Sequence, residues 1–284
     1  MVKLLDGKKL SQKMNVQMKQ DVAALATQGI IPGLAVILVG DDAASHIYVR
    51  NKKRRAEKLG IRSVIEELPV TTTETELLQL IDQYNRDPEI DGILVQLPLP
   101  AQIDPWHVLL AIDPHKDVDG FSPVNMGKLW SGRPDVIACT PLGIMKLLAA
   151  NGIDVAGMDA LVIGRSTIVG RPMAGLLVNA DATVTIAHTK TNDVKAIARR
   201  SDLIVAACGV AHFITADDVK PGAVVVDVGM DRLPDGKLTG DVDFEHVKDV
   251  ASAITPVPGG VGPMTITMLM NQTIQLAKGR AQRE

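Results

Sequence analysis

Aromatic residues are scarce in this 284-residue chain: two Trp, two Tyr and three Phe, 2% of the whole. A stacking platform for a flat ligand must therefore rest on very few rings. Cysteine occurs only at 139 and 208, with no C-x-x-C pair, which speaks against a cysteine-built zinc site and fits a reducing, cytoplasmic compartment. No apolar run reaches the roughly 18 residues a membrane span needs. The opening MVKLLDGKKLSQKM carries charges where a signal peptide would place its apolar centre. There is also no basic excess: the net charge is −3 and the pI about 6.1, so a general nucleic-acid binder is disfavoured. Apolar residues are abundant at 46%, enough for a sizeable core in one large domain or two modest ones.

Short Val/Ile-rich runs alternate with helical stretches. Strands are expected at 33–40, 61–68, 91–100, 160–164, 182–188, 202–208 and 223–230. Helices are expected at 43–59, 74–86, 141–150, 171–180, 192–200 and 262–280. The runs lack period-two alternation, which suggests strands buried on both faces of a parallel sheet. Strand–helix alternation then implies an α/β fold with right-handed crossovers. The Gly-, Pro- and Ser-rich stretch between Gly120 and Pro141 reads as a boundary between halves.

The segment DALVIGRSTIVGRPMAG (159–175) is an apolar strand, a glycine turn and a helix opening near Arg171-Pro172. Gly164 and Gly170 permit a tight turn and a close approach of backbone to ligand. A helix N-terminus behind them presents unpaired N–H groups and partial positive charge, an anion site of the kind that holds a pyrophosphate. Five residues separate the two glycines, unlike the usual G-x-G-x-x-G, and a plain strand–loop–helix joint reads equally well.

Four other segments could carry chemistry. In DDAASHIYVRNKKRRAEKLG (41–60), Asp42 or Ser45 is a helix cap and Gly60 a helix end. Tyr48 and Lys52 share a face with Ser45: a ring to stack a substrate beside an amine to move a proton. Alternatively, Lys52 to Lys58 is simply a solvated basic face. Gln96 interrupts the apolar strand 91–100 near its carboxyl end, where ligands bind in open α/β sheets, or it merely bonds a neighbouring loop. Asp113, Asp117 and Asp119 crowd one loop with His115 and Lys116. The spacing does not follow a calcium loop. One carboxylate could grip the guanidine-like edge of a heterocycle by paired hydrogen bonds, or the segment is a polar turn. TPVPGGVGPMT (255–265) packs three Pro and three Gly, as binding loops on rigid scaffolds do, or forms a linker into the last helix.

Together, SHIYVRNK (45–52), ILVQLPLP (93–100), KDVDG (116–120), VIGRSTIVGRP (162–172) and TPVPGGVGPMT (255–265) resemble the bifunctional methylenetetrahydrofolate dehydrogenase/methenyltetrahydrofolate cyclohydrolase family (FolD type), in order and from end to end. The resemblance implies two α/β domains flanking a cleft, the second a Rossmann-like doubly wound parallel sheet. It implies a folate-binding catalytic domain at 1–122 with a returning C-terminal helix at 267–284, an NADP-binding domain at 141–266, and a connecting segment at 123–140. The implied activity is NADP-dependent oxidation of 5,10-methylenetetrahydrofolate to the methenyl form, then hydrolysis to 10-formyltetrahydrofolate, in one-carbon metabolism that feeds purine biosynthesis. Lys52 would transfer the proton in hydrolysis, Tyr48 stack on the folate, Gln96 support Lys52, and Asp119 bind the pterin edge. Pro256, Gly259 and Gly260 would line the folate pocket. Gly164, Arg165 and Ser166 would hold the dinucleotide, with Thr189 and Met230 as further contacts. No metal is called for, no nucleic acid or membrane partner is implied, and a cytoplasmic homodimer joined through the nucleotide domain is expected.

Cofactor choice follows from residues. NAD-binding sheets place an acid at the end of the second strand; here TIAHTKTN has none before Asp193, while Arg165 and Lys190 could hold a 2′-phosphate. NADP is therefore expected over NAD. Thr189 stands where the family usually has Ser, keeping the hydroxyl but adding a methyl. A relative with only the dehydrogenase, and a non-catalytic dinucleotide-binding protein, remain the alternative readings.

Overall fold

The computed structural model describes residues 2–281. In chain order the elements are β1 (Lys3–Leu4), α1 (Gly7–Ala26), β2 (Gly33–Val39), α2 (Ala43–Leu59), β3 (Arg62–Leu68), α3 (Glu74–Arg86), β4 (Gly92–Val95), α4 (Pro105–Ala111), α5 (Pro123–Trp130), α6 (Cys139–Ala150) and β5 (Asp159–Ile163). They continue with α7 (Gly170–Asn179), β6 (Thr183–Ala187), α8 (Val194–Ala198), β7 (Leu203–Ala206), β8 (Val224–Asp227), β9 (Asp231–Arg232), β10 (Leu238–Thr239), α9 (Phe244–Val247), β11 (Ala253–Ile254) and α10 (Val261–Ala281). The chain divides into two compact units. One joins Ala138–Thr265 to the chain up to Gln12, and the other joins Lys13–Ile137 to the chain from Ile266 onward.

The 13–137 unit is built on a three-stranded parallel sheet in the order β3-β2-β4. The central strand β2 is buried along its whole length, which explains its unbroken apolar run. Ala35, Ile37 and Val39 on one face of β2 pack with Ile93 and Val95 of β4 and with Leu77 and Ile81 of α3. Leu77 and Ile81 are one helical turn apart, so both meet the sheet. α3 begins with a capping box, Thr73 with Glu76.

The 138–265 unit is built on a six-stranded, wholly parallel sheet in the order β1-β11-β8-β7-β5-β6. Successive residues of β5 serve opposite faces. Ala160 and Val162 join Ile144, Leu147, Met173 and Leu177, while Leu161 and Ile163 join Ala198, Ile214, Val219 and Val247. Helices thus cover both faces, as a doubly wound sheet requires. The chain passes from β5 to β6 on one side and then to β7 on the other, so strand order reverses between β5 and β7.

Two features depart from the expected boundaries. The first residues pair with the six-stranded sheet: Lys3 stands opposite Ala253 and Leu4 opposite Ile254, and the Leu5 N–H reaches Ile254 O at 2.8 Å. The segment 123–140 is not a bare connector, because it holds α5, capped by Ser122 and burying Asn125 and Leu129. Helices α1, α4 and α9 lie outside the helical stretches that the sequence pattern marks. Of the C-terminal stretch expected at 267–284, residues 282–284 lie outside the described residues.

Candidate active site

In the 13–137 unit, Asp42 caps α2 through the Ser45 N–H at 2.7 Å, and Gly60 ends it with φ of 82°. Lys53, Arg54 and Lys58 are exposed, so most of the basic stretch is the solvated face weighed above. Lys52 departs from it: its amine donates to Gln96 Oε1 at 2.9 Å. Gln96 is held in turn, with its backbone N–H on Ile37 O at 2.8 Å and its side-chain NH2 on Leu97 O at 2.7 Å. That second bond fixes the amide so that its oxygen meets the lysine. Tyr48, one turn before Lys52, is 40% exposed, which leaves ring surface available for stacking.

The acids of 113–119 separate by role. Asp113 takes the backbone N–H of His115 at 2.8 Å and pairs with its ring. Asp117 is buried and takes the N–H groups of Gly120 and Ser122 at 3.1 and 2.7 Å and the Asn125 amide at 3.0 Å. These two hold the turn. Asp119 lines a cavity of ≈ 20 Å³ walled by Leu94, Val95, Leu97 and Phe121. Burial raises its pKa to about 6; the Lys52 charge opposes the rise and Asp117 adds to it. A carboxyl tuned this far sits in an apolar wall beside a cation, an arrangement that suits a ligand-facing group. Among the described residues no group of three or more His, Cys, Asp or Glu is placed to hold a metal.

In the 138–265 unit, Gly164 follows β5 with φ of 123°, and a Cβ there would stand 2.3 Å from Ala207 O. Gly170 opens α7, and a Cβ there would stand 2.2 Å from Gly164 O. Both positions exclude any side chain, so the turn lies flat on the end of β7, at the point where strand order reverses and ligands bind. Ser166 Oγ accepts the N–H groups of Val169 and Gly170 at 3.1 and 3.3 Å, so this hydroxyl organises the helix start. Arg165 is exposed, as are Thr189 and Lys190 beyond β6. The acid farther on, Asp193, caps α8 through Ala196 N–H at 2.9 Å, so it does not stand at the strand end. The turn, the strand-order reversal and the cations together fit a phosphorylated dinucleotide.

Met230 is half exposed, and its sulfur lies 4.0 Å from where a Cβ on Gly262 would be. The loop holding Pro256, Gly259 and Gly260 is tied down by Gly260 N–H to Pro256 O at 2.8 Å and Lys8 N–H to Gly259 O at 2.9 Å. It belongs to the same unit as the glycine turn, whereas Tyr48, Lys52, Gln96 and Asp119 belong to the other. Sequence reasoning passed over two buried acids, Asp227 and Asp241. The available signal was an Asp closing an apolar run, VVVD, and another directly after a glycine.

A doubly wound sheet with a glycine turn at its reversal point, joined to a second α/β unit bearing a lysine–amide–carboxylate cluster, defines a two-unit α/β dinucleotide-dependent enzyme. Residues 5–119 match the family described as tetrahydrofolate dehydrogenase/cyclohydrolase, catalytic domain, and residues 138–281 match its NAD(P)-binding domain. The bifunctional protein FolD of Lactiplantibacillus plantarum is 61% identical over 280 residues, 98% of each chain. The crystal structure of the bifunctional FolD dehydrogenase/cyclohydrolase of Campylobacter jejuni, 50% identical, superposes with a TM-score of 0.98 over 99% of this chain and 100% of that one. The Trypanosoma brucei enzyme, solved with NADP and an inhibitor, is 37% identical with a TM-score of 0.94 over 100% and 99%. The chain belongs to the tetrahydrofolate dehydrogenase/cyclohydrolase family. It is a bifunctional one-carbon folate enzyme, a methylenetetrahydrofolate dehydrogenase and a methenyltetrahydrofolate cyclohydrolase on one polypeptide.

Proposed function

We propose that this chain uses NADP to oxidise 5,10-methylenetetrahydrofolate, and that Lys52 is the proton-transferring residue when the methenyl product is hydrolysed to 10-formyltetrahydrofolate. The carrying observation is the bond from the Lys52 amine to Gln96. An amide oxygen accepts from an ammonium and from an amine alike, so the lysine stays placed in both protonation states, as a group that gives and takes a proton must. Tyr48 stacks on the pterin. Asp119, once ionised, accepts from the N–H groups of the pterin edge.

For the dinucleotide, the Gly164 turn and the start of α7 take the pyrophosphate, Arg165 and Lys190 the 2′-phosphate, and Thr189 and Met230 flank it. NADP, when bound, supplies the acceptor for the dehydrogenase reaction. What the chain contributes to that reaction is placement of two reactants, where a large part of such rate enhancement resides.

Substitution Lys52→Gln tests the assignment. Hydrolysis of methenyltetrahydrofolate, followed by its absorbance, is expected to fall about 10²–10⁴-fold, the usual worth of a general acid–base group. NADP reduction should persist within about tenfold, because positioning needs no proton transfer from this amine. Hydrolysis at the unsubstituted rate would remove Lys52 from the reaction.

The same reading places the enzyme in the cytoplasm, supplying one-carbon units for purine biosynthesis, in keeping with two cysteines that form no disulfide. It also makes the protein a homodimer through the nucleotide unit. β6 is an outer strand of the six-stranded sheet, and an edge strand offers backbone groups for symmetric pairing. Sedimentation at twice the 30.3 kDa chain mass is the expected result.

A further inference from the structure

A buried polar cluster outside the reaction chemistry lies beyond the carboxyl ends of β7 and β8. Asp227 closes β8 and Asp241 follows β10, and they are 2% and 0% exposed. Asp227 Oδ1 accepts the N–H groups of Gly229 and Asp241, both at 2.9 Å, and its Oδ2 accepts that of Val242 at 3.0 Å. Asp241 Oδ1 accepts the N–H of Val210 at 2.8 Å, and its Oδ2 that of Cys208 at 2.7 Å. The fit is reciprocal. A Cβ on Gly240 would meet Asp227 Oδ2 at 2.0 Å, and a Cβ on Gly229 would meet Asp241 Oδ1 at 2.8 Å. Two carboxylates thereby fix backbone donors from three separate stretches of chain. Burial raises the pKa of the nearby Asp231, Asp241 adds to the rise and His212 opposes it.

Burying two like charges together is an expensive way to stabilise a loop, and apolar filling would serve stability as well. Charge-assisted bonds to backbone N–H groups achieve something different, a fixed position for each peptide. Cys208 and Val210 follow Ala207, whose carbonyl abuts Gly164, and the 229–230 segment leaves β8 beside the same strand end, with Val228 N–H on Ala206 O at 2.8 Å.

We propose that Asp241 is a positioning residue for the dinucleotide: with Asp227, it holds the 208–210 and 229–230 backbone as the wall of the site that adjoins the Gly164 turn. The inference rests on the reading that the dinucleotide occupies this edge of the six-stranded sheet.

Asp241→Asn and Asp241→Ala test it. An amide keeps the shape but turns an NH2 toward a backbone N–H that needs an acceptor. The KM and the dissociation constant for NADP are expected to rise about tenfold or more. Dehydrogenase kcat at saturating NADP should stay within about threefold, and the KM for methylenetetrahydrofolate should not move. Cyclohydrolase turnover, which consumes no dinucleotide, should match the unsubstituted protein. Hydrogen exchange at Cys208 and Val210 should accelerate in the Asn variant. Unchanged NADP affinity with accelerated exchange overturns the proposal. Parallel loss of both activities, or failure of both variants to fold, also overturns it, because the pair would then serve stability alone. If the unsubstituted protein binds no NADP, the underlying cofactor reading fails first, and that failure is visible without any variant.

Discussion

The amine of Lys52 on α2 and the amide oxygen of Gln96, just past β4, meet at 2.9 Å across 44 positions of sequence. Because Gln96 is bonded to Ile37 O and Leu97 O as well, the lysine is anchored to the sheet and not merely to its own helix. Gln96→Ala should therefore lower cyclohydrolase kcat by about 10- to 100-fold through lost placement, while binding of folate changes less. Gln96→Glu should move the pH profile of hydrolysis upward, since a carboxylate favours the charged lysine. Profiles of kcat against pH for the three proteins separate the two effects.

Asp119 supplies a pH prediction. Its folded pKa of about 6 lies above the ordinary carboxyl value because of burial. The folded state then holds a proton that the unfolded chain has already released. Stability from this group is therefore full at about pH 4 and falls as pH rises through 6. Asp119→Asn removes that cost and should raise stability at pH 7 by the order of 1–2 kcal/mol, with the gain vanishing near pH 4. Folate affinity should move the opposite way. It should weaken in the unsubstituted protein below about pH 6, and be weak at every pH in the variant. Melting curves and folate titrations across pH 4–8 check both halves.

Gly164 combines a φ of 123° with a Cβ position 2.3 Å from Ala207 O. Gly164→Ala has to shift the turn or the end of β7, at a cost of about 2 kcal/mol or more. A melting temperature several degrees lower is expected, together with a raised KM for NADP and cyclohydrolase turnover preserved in the folded fraction. A variant with an unaltered melting point and KM would show that the turn tolerates a side chain.

Arg165 is exposed, so solvent screens its contribution. Arg165→Ala should cost about tenfold in kcat/KM with NADP, the scale of a screened charge-assisted bond, and leave kcat/KM with NAD nearly untouched. The ratio of the two rates is the measurement. Equal losses with both dinucleotides would assign Arg165 to the pyrophosphate and not to the 2′-phosphate.

Much of the architecture was legible because strands β2, β4, β7 and β8 are buried on two faces and so read as unbroken apolar runs. Gly33–Val39 is buried at every residue, whereas β3, of the same length, is an edge strand that stays partly exposed. Gly60 ends α2 as its residue type dictates, and of the two cap candidates, Asp42 and Ser45, the structure uses Asp42, which accepts the Ser45 N–H. The five motifs and their order identified the family. Legibility failed where structure depends on partners remote in sequence. β1 and β11 have two residues each, too few for any periodicity, and each exists because another strand lies beside it. α1 buries Ser11, Met18, Val22 and Leu25, a thin stripe in an otherwise polar stretch, so its pattern is faint. α5 sits in a Gly- and Pro-rich region and owes its position to Ser122 and Asp117.

Local chemistry alone settled the longer strands and the Gly60 helix end, because each depends on residues within a few positions of one another, and five such motifs in order settled the family. The choice among equivalent side chains was made only on folding. Lys52 and Lys53 are neighbours of the same type, yet one reaches Gln96 while the other faces water. Asp117 and Asp119 lie two apart and border the same small cavity, yet Asp117 is spent on the N–H groups of a turn while burial raises the pKa of the Asp119 carboxyl to about 6. Burial and partnership at a distance decide which charge is tuned and which is merely solvated, and both come into being when strands distant in sequence are brought side by side.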